Sequence, residues 1–350
     1  MSPNRRTQKT LVLFCCALAL SAGSIFAGTN VWTTGGPYGY PVYSLGIDPS
    51  IPLTVYAGTY RGGVFRTTDG GGTWSAVNNG LINLEVYALA IDPSTPSTVY
   101  AGTYGGGVFK TIDSGFTWSG INIGLTNFGI IAITIAPSDP STVYVGTTAE
   151  YGPPAVYKTT NGGATWSVIY TVNHHFNFCA LAVDPSAPST VYAGTSGLGV
   201  FKTTDGGATW NEINTGLTGS PIVTDIAINP SYSSTVYVGT LGGGVFKTVD
   251  GGGNWSAVNN GMHSLDVFSL AIDPSSPSNI YSGFNGYGVF KTADAGAAWN
   301  ALNTGLDDLS LMVWKLSVAP FAPSTVYAGT DDGVWSITFS RSHDRPLSRP

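Results

Sequence analysis

The carboxylates of this chain recur at a regular interval. The phrase T-x-D-x-G-x-[T]-W occurs six times, and its acidic position is spaced by 44, 48, 44, 45 and 44 residues. That position holds Asp69, Asp113, Asn161, Asp205, Asp250 and Asp294. One such carboxylate could bind a metal or transfer a proton, but a residue repeated at every period does not serve a single site. We predict that these side chains accept hydrogen bonds from turn N–H groups, while Gly supplies the backbone conformation and Trp packs between sheets.

Two further sets of charged residues recur in the same way. An Asp followed by Pro-Ser ends four of the strand-like phrases, at Asp48, Asp92, Asp184 and Asp273. A basic residue recurs at one strand position, at Arg66, Lys110, Lys158, Lys202, Lys247 and Lys291. We predict that the Asp residues form turns and that the stems of the basic residues cover apolar surface.

Two charges break the repeat at the third position of the innermost strand. Five copies have Ser or Ala at this position, but the fifth has Asp225 and the seventh has Lys315. Both charges are expected near the axis of the fold. They either form a pair that stabilises the ring, which we favour because buried charges need partners, or they point into a channel that binds a ligand.

The variable loops contain the remaining candidates for binding. They are mainly aromatic and acidic, and we select Tyr60, Arg61, Tyr104, Glu150, Tyr151, Phe284, Tyr287, Asp307, Asp308, Asp331 and Asp332. Aromatic planes stack on sugar rings and carboxylates accept hydrogen bonds from sugar hydroxyls, so this face suits a glycan. The alternative is an ordinary solvated rim.

The only histidine pair gives little support to a metal site. His174 and His175 are adjacent in sequence, and adjacent His side chains rarely converge on one ion. No Cys or second His cluster supports them. We therefore predict no metal and no cofactor.

The elements that position these residues follow from the period. Four strand-like phrases per period are typical of a β-propeller blade. The innermost phrase alternates large and small residues, and its copies start near residues 42, 86, 130, 178, 223, 267 and 313. The sequence predicts an all-β, seven-bladed β-propeller with four-stranded antiparallel blades. Trp32 matches the Trp of a fourth strand, so residues 31–34 are predicted to complete the last blade and close the ring.

The ends of the chain differ from the repeat. Residues 1–27 contain three basic residues, a short apolar run and small residues, the layout of a secretory signal peptide. We predict a propeller over 28–340 and a polar tail over 341–350. The protein is expected to be secreted or periplasmic, monomeric and without a membrane span after signal removal. Without the signal, 11 basic and 20 acidic residues remain, and a net charge of −9 disfavours nucleic acid as a partner. Cys179 is then the only thiol, and we predict that it is buried and structural.

The six T-x-D-x-G-x-[T]-W phrases resemble the Asp-box of the bacterial-neuraminidase (BNR) repeat family. The resemblance implies a propeller of the sialidase and xyloglucanase superfamily, with the box in the turn between the third and fourth strands, on the face opposite the ligand sites. Sialidases also have three arginines that bind the substrate carboxylate and an F/Y-R-I-P phrase. Between residues 28 and 340 this chain has only Arg61 and Arg66 and lacks that phrase, so sialidase activity is not expected.

Two other resemblances suggest alternative functions. Tyr56–Gly63 is similar to the Y-A-R-T-D-I-G-G phrase of xyloglucan-cleaving glycoside hydrolases, but the catalytic Asp of that phrase falls on Tyr60. Asp331 has the corresponding position in the last blade and is the catalytic candidate if the protein is an enzyme. The chain also resembles the photosystem II assembly propeller, without its arginine-rich patch. We favour an exported binding or scaffold protein over an enzyme, and we predict that its loop face binds a polysaccharide or an exported or cell-surface protein. A glycoside hydrolase and an assembly factor are the alternatives.

Overall fold

The structure is a computed structural model that describes residues 30–172, 176–218, 221–308, 310–320 and 324–339. The predicted signal peptide, the polar tail from residue 341 and the His174-His175 pair lie outside the described residues. Within the described ranges, no helix is long and apolar enough to cross a membrane.

Seven four-stranded antiparallel sheets make up the described chain, and they form the blades of a seven-bladed β-propeller. The innermost strands are β2 (Val42–Ile47), β6 (Val86–Ile91), β10 (Ile130–Ile135), β14 (Phe178–Val183), β18 (Ile222–Ile228), β22 (Val267–Ile272) and β26 (Val313–Val318). The second strands are β3 (Val55–Thr59), β7 (Val99–Thr103), β11 (Val143–Thr147), β15 (Val191–Thr195), β19 (Val236–Leu241), β23 (Ile280–Phe284) and β27 (Thr325–Thr330). This confirms the predicted all-β fold, a seven-bladed β-propeller with four-stranded antiparallel blades.

The outer half of each blade is shorter. The third strands are β4 (Gly63–Thr67), β8 (Gly107–Thr111), β12 (Ala155–Thr159), β16 (Val200–Thr203), β20 (Gly244–Thr248), β24 (Gly288–Thr292) and β28 (Gly333–Thr338). The fourth strands are β5 (Ser75–Ala76), β9 (Ser119–Gly120), β13 (Ser167–Thr171), β17 (Asn211–Glu212), β21 (Ser256–Ala257), β25 (Asn300–Ala301) and, in the seventh sheet, β1 (Thr33–Gly36). One 3₁₀ helix, Ala149–Tyr151, lies in a loop of the third blade.

The core lies between neighbouring blades. Each apolar cluster combines the second strand of one blade with strands of the next, and a Tyr from the second strand is almost fully buried in every blade. These residues are Tyr56, Tyr100, Tyr144, Tyr192, Tyr237, Tyr281 and Tyr327. The Trp that directly precedes the fourth strand often closes the cluster. For example, the Trp118 indole N–H donates to the carbonyl oxygen of Val77 over 2.7 Å.

The repeated Asp residues organise the turns between third and fourth strands. Asp113 Oδ1 accepts hydrogen bonds from the Thr117 N–H (2.9 Å) and the Thr111 hydroxyl (2.6 Å), and its Oδ2 accepts one from the Thr117 hydroxyl. These hydrogen bonds lower the pKa of the Asp113 carboxyl to about 2. In the third blade Asn161 accepts from the Thr165 N–H in the same way over 3.0 Å. The turns thus use the acidic position as an acceptor of local hydrogen bonds.

The repeated lysines do more than cover apolar surface. Lys202 Nζ donates to the Gly251 carbonyl oxygen of the next blade over 2.8 Å, lies 5.1 Å from the centre of the Tyr192 ring, and shares that carbonyl with the Tyr192 hydroxyl at 3.3 Å. We call this arrangement of Lys, Tyr and a turn carbonyl the inter-blade clasp. The same Lys contact recurs at Lys110, Lys158 and Lys247.

The clasp is incomplete between the sixth and seventh blades. Lys291 Nζ lies 4.4 Å from the centre of the Phe339 ring and 5.5 Å from that of Tyr281, and the Tyr281 hydroxyl is buried without a hydrogen-bond partner. The reason is topological: the seventh sheet has the order β1, β28, β27, β26, so no Asp turn joins its two outer strands. Thr33 pairs with Ser336 in that sheet.

Candidate functional site

A β-bulge in every innermost strand shapes the axial channel. Pairing with the second strand skips one residue near the start of each innermost strand, as at Tyr43 between Val42 and Ser44. The skipped residues are Tyr43, Tyr87, Ile131, Cys179, Thr224, Phe268 and Trp314. A bulge turns its extra side chain away from strict alternation. All seven skipped residues therefore line the channel cavity, of about 150 Å³, alongside residues such as Ser44 that follow them.

Aromatic rings follow one another around half of the channel mouth. The ring centres of Phe268 and Trp314 are 4.7 Å apart, those of Trp314 and Tyr43 are 5.2 Å apart, and those of Tyr43 and Tyr87 are 4.8 Å apart. The series continues outward along the loop face, from Tyr87 to Tyr104 at 4.9 Å and from Tyr104 to Tyr151 at 5.3 Å. We call these six residues the aromatic arc: Phe268, Trp314, Tyr43, Tyr87, Tyr104 and Tyr151.

The other half of the mouth is formed by smaller side chains. It contains Ile131, Cys179 and Thr224. Cys179 corrects our expectation of a buried thiol, because the bulge turns its side chain toward the channel and leaves it partly exposed. Desolvation in the channel still raises the pKa of the Cys179 thiol to about 12. The Thr224 hydroxyl donates to the Val267 carbonyl oxygen of the next blade over 2.7 Å. The channel mouth is therefore asymmetric, with its large ring surfaces on one side.

Two carboxylates lie beside the aromatic arc near Tyr43. Asp331 Oδ1 accepts a hydrogen bond from the Trp314 indole N–H over 2.7 Å. Glu85 forms an ion pair with Arg61 over 3.3 Å, and the Arg61 guanidinium lies 4.6 Å from the centre of the Tyr60 ring. Burial, and then the nearby charges of Asp331, Tyr60 and Glu85, raise the pKa of the Tyr43 phenol. The fold thus brings Tyr60, Arg61 and Asp331, all predicted from the sequence, to one edge of the mouth.

A third carboxylate borders the outer end of the aromatic arc. Glu150 lies in the 3₁₀ helix Ala149–Tyr151, and its N–H donates to the hydroxyl of the preceding cap, Thr148. Burial, followed by a hydrogen bond with Glu150, raises the pKa of the Tyr104 phenol to about 12. The Tyr151 hydroxyl donates to the Tyr104 carbonyl oxygen over 3.4 Å. Tyr104, Glu150 and Tyr151, all predicted from the sequence, therefore form one group.

The two charges that break the repeat meet deeper in the channel. Asp225 Oδ2 accepts hydrogen bonds from Lys315 Nζ (2.8 Å), the Ser269 hydroxyl (2.9 Å) and the Leu270 N–H (3.0 Å), while its Oδ1 accepts one from the Ile226 N–H (3.0 Å). The Asp225 side chain is 12% exposed and that of Lys315 is 32% exposed. Asp225 thus connects the fifth, sixth and seventh blades through their innermost strands.

The other predicted residues lie apart from the arc. Phe284 corrects our expectation, because its side chain is fully buried and packs against Phe290 in the core instead of reaching the loop face. Asp307 accepts two hydrogen bonds from Ser310, as a turn former does. The remaining three, which are exposed or partly exposed, are Tyr287, Asp308 and Asp332.

Sequence reasoning missed the channel-facing members of the aromatic arc. Strict period-2 alternation puts the second and third residues of a strand on opposite faces, so Tyr43, Tyr87, Phe268 and Trp314 were not selected as site residues. The signal that could have found them is the replacement of an aromatic residue at that position by Ile131, Cys179 and Thr224 in three consecutive blades. A position that is aromatic in only four blades does not serve the repeat alone.

The arrangement suits binding by contact. Half-buried rings offer stacking surface, and carboxylates at their edges accept hydrogen bonds. Within the residues that the structure describes, no group of three or more His, Cys, Asp or Glu side chains could hold a metal ion.

Comparisons with known proteins bear on the fold. No protein-family model matches the chain, and no curated protein matches it. Among solved structures, the GH74 xyloglucanase from Xanthomonas campestris is 16% identical with a TM-score of 0.69, over 90% of this chain and 54% of that one. YCF48 bound to D1 peptide is 15% identical with a TM-score of 0.68, over 90% and 97%. An extracellular domain of a two-component system from B. thetaiotaomicron is 13% identical with a TM-score of 0.66, over 89% and 40%.

These similarities extend to the fold alone. The chain spans about half the length of the GH74 enzymes that it matches, between 45% and 54%. It spans nearly the whole length of YCF48. The neighbours therefore include enzymes, a protein bound to a peptide and an extracellular domain that share one architecture.

Proposed function

We propose that this protein is an exported, non-catalytic propeller of the Asp-box type that binds a glycan at its channel mouth. The observation that carries the proposal is the aromatic arc, in which six rings are in successive contact from the channel to the loop face. Neither the turns nor the blade cores need aromatic residues at the bulge position, since three blades fold without one there.

Physical chemistry favours a sugar polymer on such a surface. The C–H faces of a pyranose ring pack against aromatic planes, and its hydroxyls donate to carboxylates such as Asp331, Glu85 and Glu150. Successive ring contacts of about 5 Å extend the surface outward, so more than one sugar unit can be accommodated. The signal-like N-terminus supports export, and so does the extracellular neighbour of the same fold.

The experiment is a binding panel with a matched pair of variants. Tyr151, which is 43% exposed at the end of the arc, is changed to Ala, and Tyr232, which is 72% exposed in a loop between first and second strands, is changed to Ala as the control. We expect the protein to retain one or more polysaccharides in affinity electrophoresis. Tyr151→Ala is expected to weaken retention about fivefold, corresponding to roughly 1 kcal/mol of lost ring contact, with Tyr232→Ala unchanged. Retention equal in both variants would contradict the proposed site.

A glycoside hydrolase is the second candidate, because Asp331 and Glu85 both lie close enough to Tyr43 to raise its pKa. Glycosidases use two carboxylates that flank the scissile bond. Hydrolysis would release new reducing ends from the bound polysaccharide, and Asp331→Asn would abolish their release. Binding without new reducing ends supports the non-catalytic function.

A peptide-binding assembly protein is a further candidate, supported by the match to YCF48 bound to D1 peptide over nearly the full length of both chains. Asp331, Glu85 and Glu150 would favour basic peptides in that case. A secretome pull-down that recovers one protein through the arc, and loses it in Tyr151→Ala, would support this alternative over the glycan.

A further inference from the structure

The channel mouth contains one complete site for a cation, filled by the protein itself. The Arg61 guanidinium lies over the Tyr60 ring and forms an ion pair with Glu85. An aromatic face and a carboxylate together attract a cation through the ring quadrupole and the negative charge. The Arg61 side chain is 70% exposed, and these two contacts therefore lie at the protein surface.

A second combination of the same groups lies beside it without a cation. Asp331 accepts a hydrogen bond from the neutral Trp314 indole, and the Trp314 ring meets Tyr43 at an angle of 82°. In the part of the chain that the structure describes, the ion pairs are Arg61 with Glu85 and Lys315 with Asp225. Lys315, which follows Trp314 directly in the strand, is thus already paired with Asp225. Among the described residues, the charge of Asp331 has no ion-pair partner.

The rings and the carboxylate belong to one edge of the mouth. Trp314 and Tyr43 line the channel cavity, their ring centres are 5.2 Å apart, and Asp331 accepts a hydrogen bond from the Trp314 indole. The Ser44 hydroxyl, which has no hydrogen-bond partner, is enclosed beside Gly58 and does not open into the cavity. The candidate site therefore consists of the Asp331 carboxylate and the two rings.

We propose that the glycan recognised at the aromatic arc carries free amino groups, and that a sugar ammonium binds against the Trp314 and Tyr43 rings, beside the Asp331 carboxylate. The inference rests on the proposed function and specifies its ligand class as a polymer of amino sugars. A cation over an aromatic face contributes severalfold to tenfold in affinity, and a nearby carboxylate adds to it. Anionic and purely neutral glycans lack this contact.

The test compares two ligands that differ in the amine alone. Fully deacetylated and fully N-acetylated glucosamine oligomers of equal length are titrated calorimetrically into the full mature chain, at a pH where the free amine is protonated. We expect the deacetylated oligomer to bind at least tenfold more tightly and its affinity to fall with added salt, because screening weakens the contact with Asp331. Equal affinities would overturn the inference and leave glycan binding intact. Failure of both oligomers and of every polysaccharide in the panel would instead refute the proposed function.

Matched variants locate the contact. Asp331→Asn removes the charge and keeps an oxygen for the Trp314 indole, and Asp308→Asn removes an exposed charge elsewhere on the same face. We expect Asp331→Asn to remove most of the preference for the deacetylated oligomer without changing the melting temperature, and Asp308→Asn to preserve it. A preference unchanged in Asp331→Asn would overturn the assignment. So would binding of a lysine-rich peptide that depends on Asp331 while the amino sugars do not bind.

Discussion

Removal of the Asp225 carboxylate is expected to destabilise the propeller without affecting its ligand site. Asp225 accepts hydrogen bonds from donors in three blades, among them the Leu270 N–H and Lys315 Nζ. Asp225→Ala leaves a buried N–H and an ammonium without an acceptor. Lys315→Met removes the ammonium but leaves Asp225 with its neutral donors. The two substitutions are therefore not equivalent.

The size of the effect follows from burial. Breaking a buried ion pair from one side costs about 3–5 kcal/mol, and the 32% exposure of the Lys315 side chain lets water recover part of this, so we expect about 3 kcal/mol for Asp225→Ala. Lys315→Met is expected to cost less, about 2 kcal/mol, the value of a hydrogen bond to a charged group, because three neutral donors still bind the Asp225 carboxylate. The double variant should be more stable than Asp225→Ala alone, since no unpaired ammonium remains. At about 2 cal/mol/K per residue, each kcal/mol lowers the melting temperature of a domain this size by roughly 1.5 °C.

Urea unfolding followed by tryptophan fluorescence, together with glycan binding below the transition, measures both quantities. We expect a clear loss of stability in Asp225→Ala, recovery in the double variant, and a dissociation constant within twofold of the unmodified protein in all three variants. A dissociation constant raised tenfold in Asp225→Ala at unchanged stability would show that the pair belongs to the ligand site and would refute the reasoning.

The remaining predictions concern the clasps, the turns and the thiol. Lys202→Met should destabilise the protein by about 1 kcal/mol more than Lys291→Met in urea unfolding, because Lys291 has no turn carbonyl to lose; equal losses would contradict the clasp. The turn carboxyls whose pKa is lowered to about 2 stabilise the fold fully above their unfolded pKa near 4, and this contribution is lost as the pH falls toward 2. The NMR chemical shift of the Thr117 amide nitrogen, which is hydrogen-bonded to the Asp113 carboxylate, should therefore change as the pH falls to about 2. The shift of the Thr165 nitrogen, which is hydrogen-bonded to the Asn161 side-chain amide oxygen, should not show this change. Alkylation of Cys179 at pH 8 should be much slower in the folded than in the urea-unfolded chain, because burial raises its pKa to about 12; equal rates would show an accessible thiolate.

The sequence contains enough information for the fold because each blade repeats the same local pattern. The alternation in the innermost strand and the turn phrase are local properties, and seven copies average out the exceptions. Asp225 and Lys315 could be selected as charges near the axis for the same reason. Their contact, across 90 residues of chain, depends on the closeness of alternate blades at the channel. The need of a buried charge for a partner favours this pair in the sequence, but its geometry cannot be derived from a single repeat.

The site was harder to predict because it depends on departures from ideal geometry. A bulge is not encoded by alternation, so the side of the strand on which Trp314 and Tyr43 lie could not be read from the pattern. Phe284 was selected for the loop face although its side chain is part of the core. It is the last residue of a second strand, next to a variable loop, and it is fully buried. The repeated lysines can be predicted from the sequence as structural residues. Their carbonyl acceptors belong to the following blade, so the pattern within one repeat does not predict these hydrogen bonds.

The incomplete clasp at Lys291 marks the blade whose two outer strands are not joined by a turn, so the chain ends could in principle be moved to another blade. An Asp turn joining residue 339 to residue 32 would supply a carbonyl for Lys291 and Tyr281, and new termini could be opened at any of the six existing turns. In such a circular permutant, the missing turn between third and fourth strands would lie in a different blade. The aromatic arc, assembled from the innermost strands and the opposite face, would keep its geometry, so the position of the chain ends and the position of the ligand site are separate variables in this architecture.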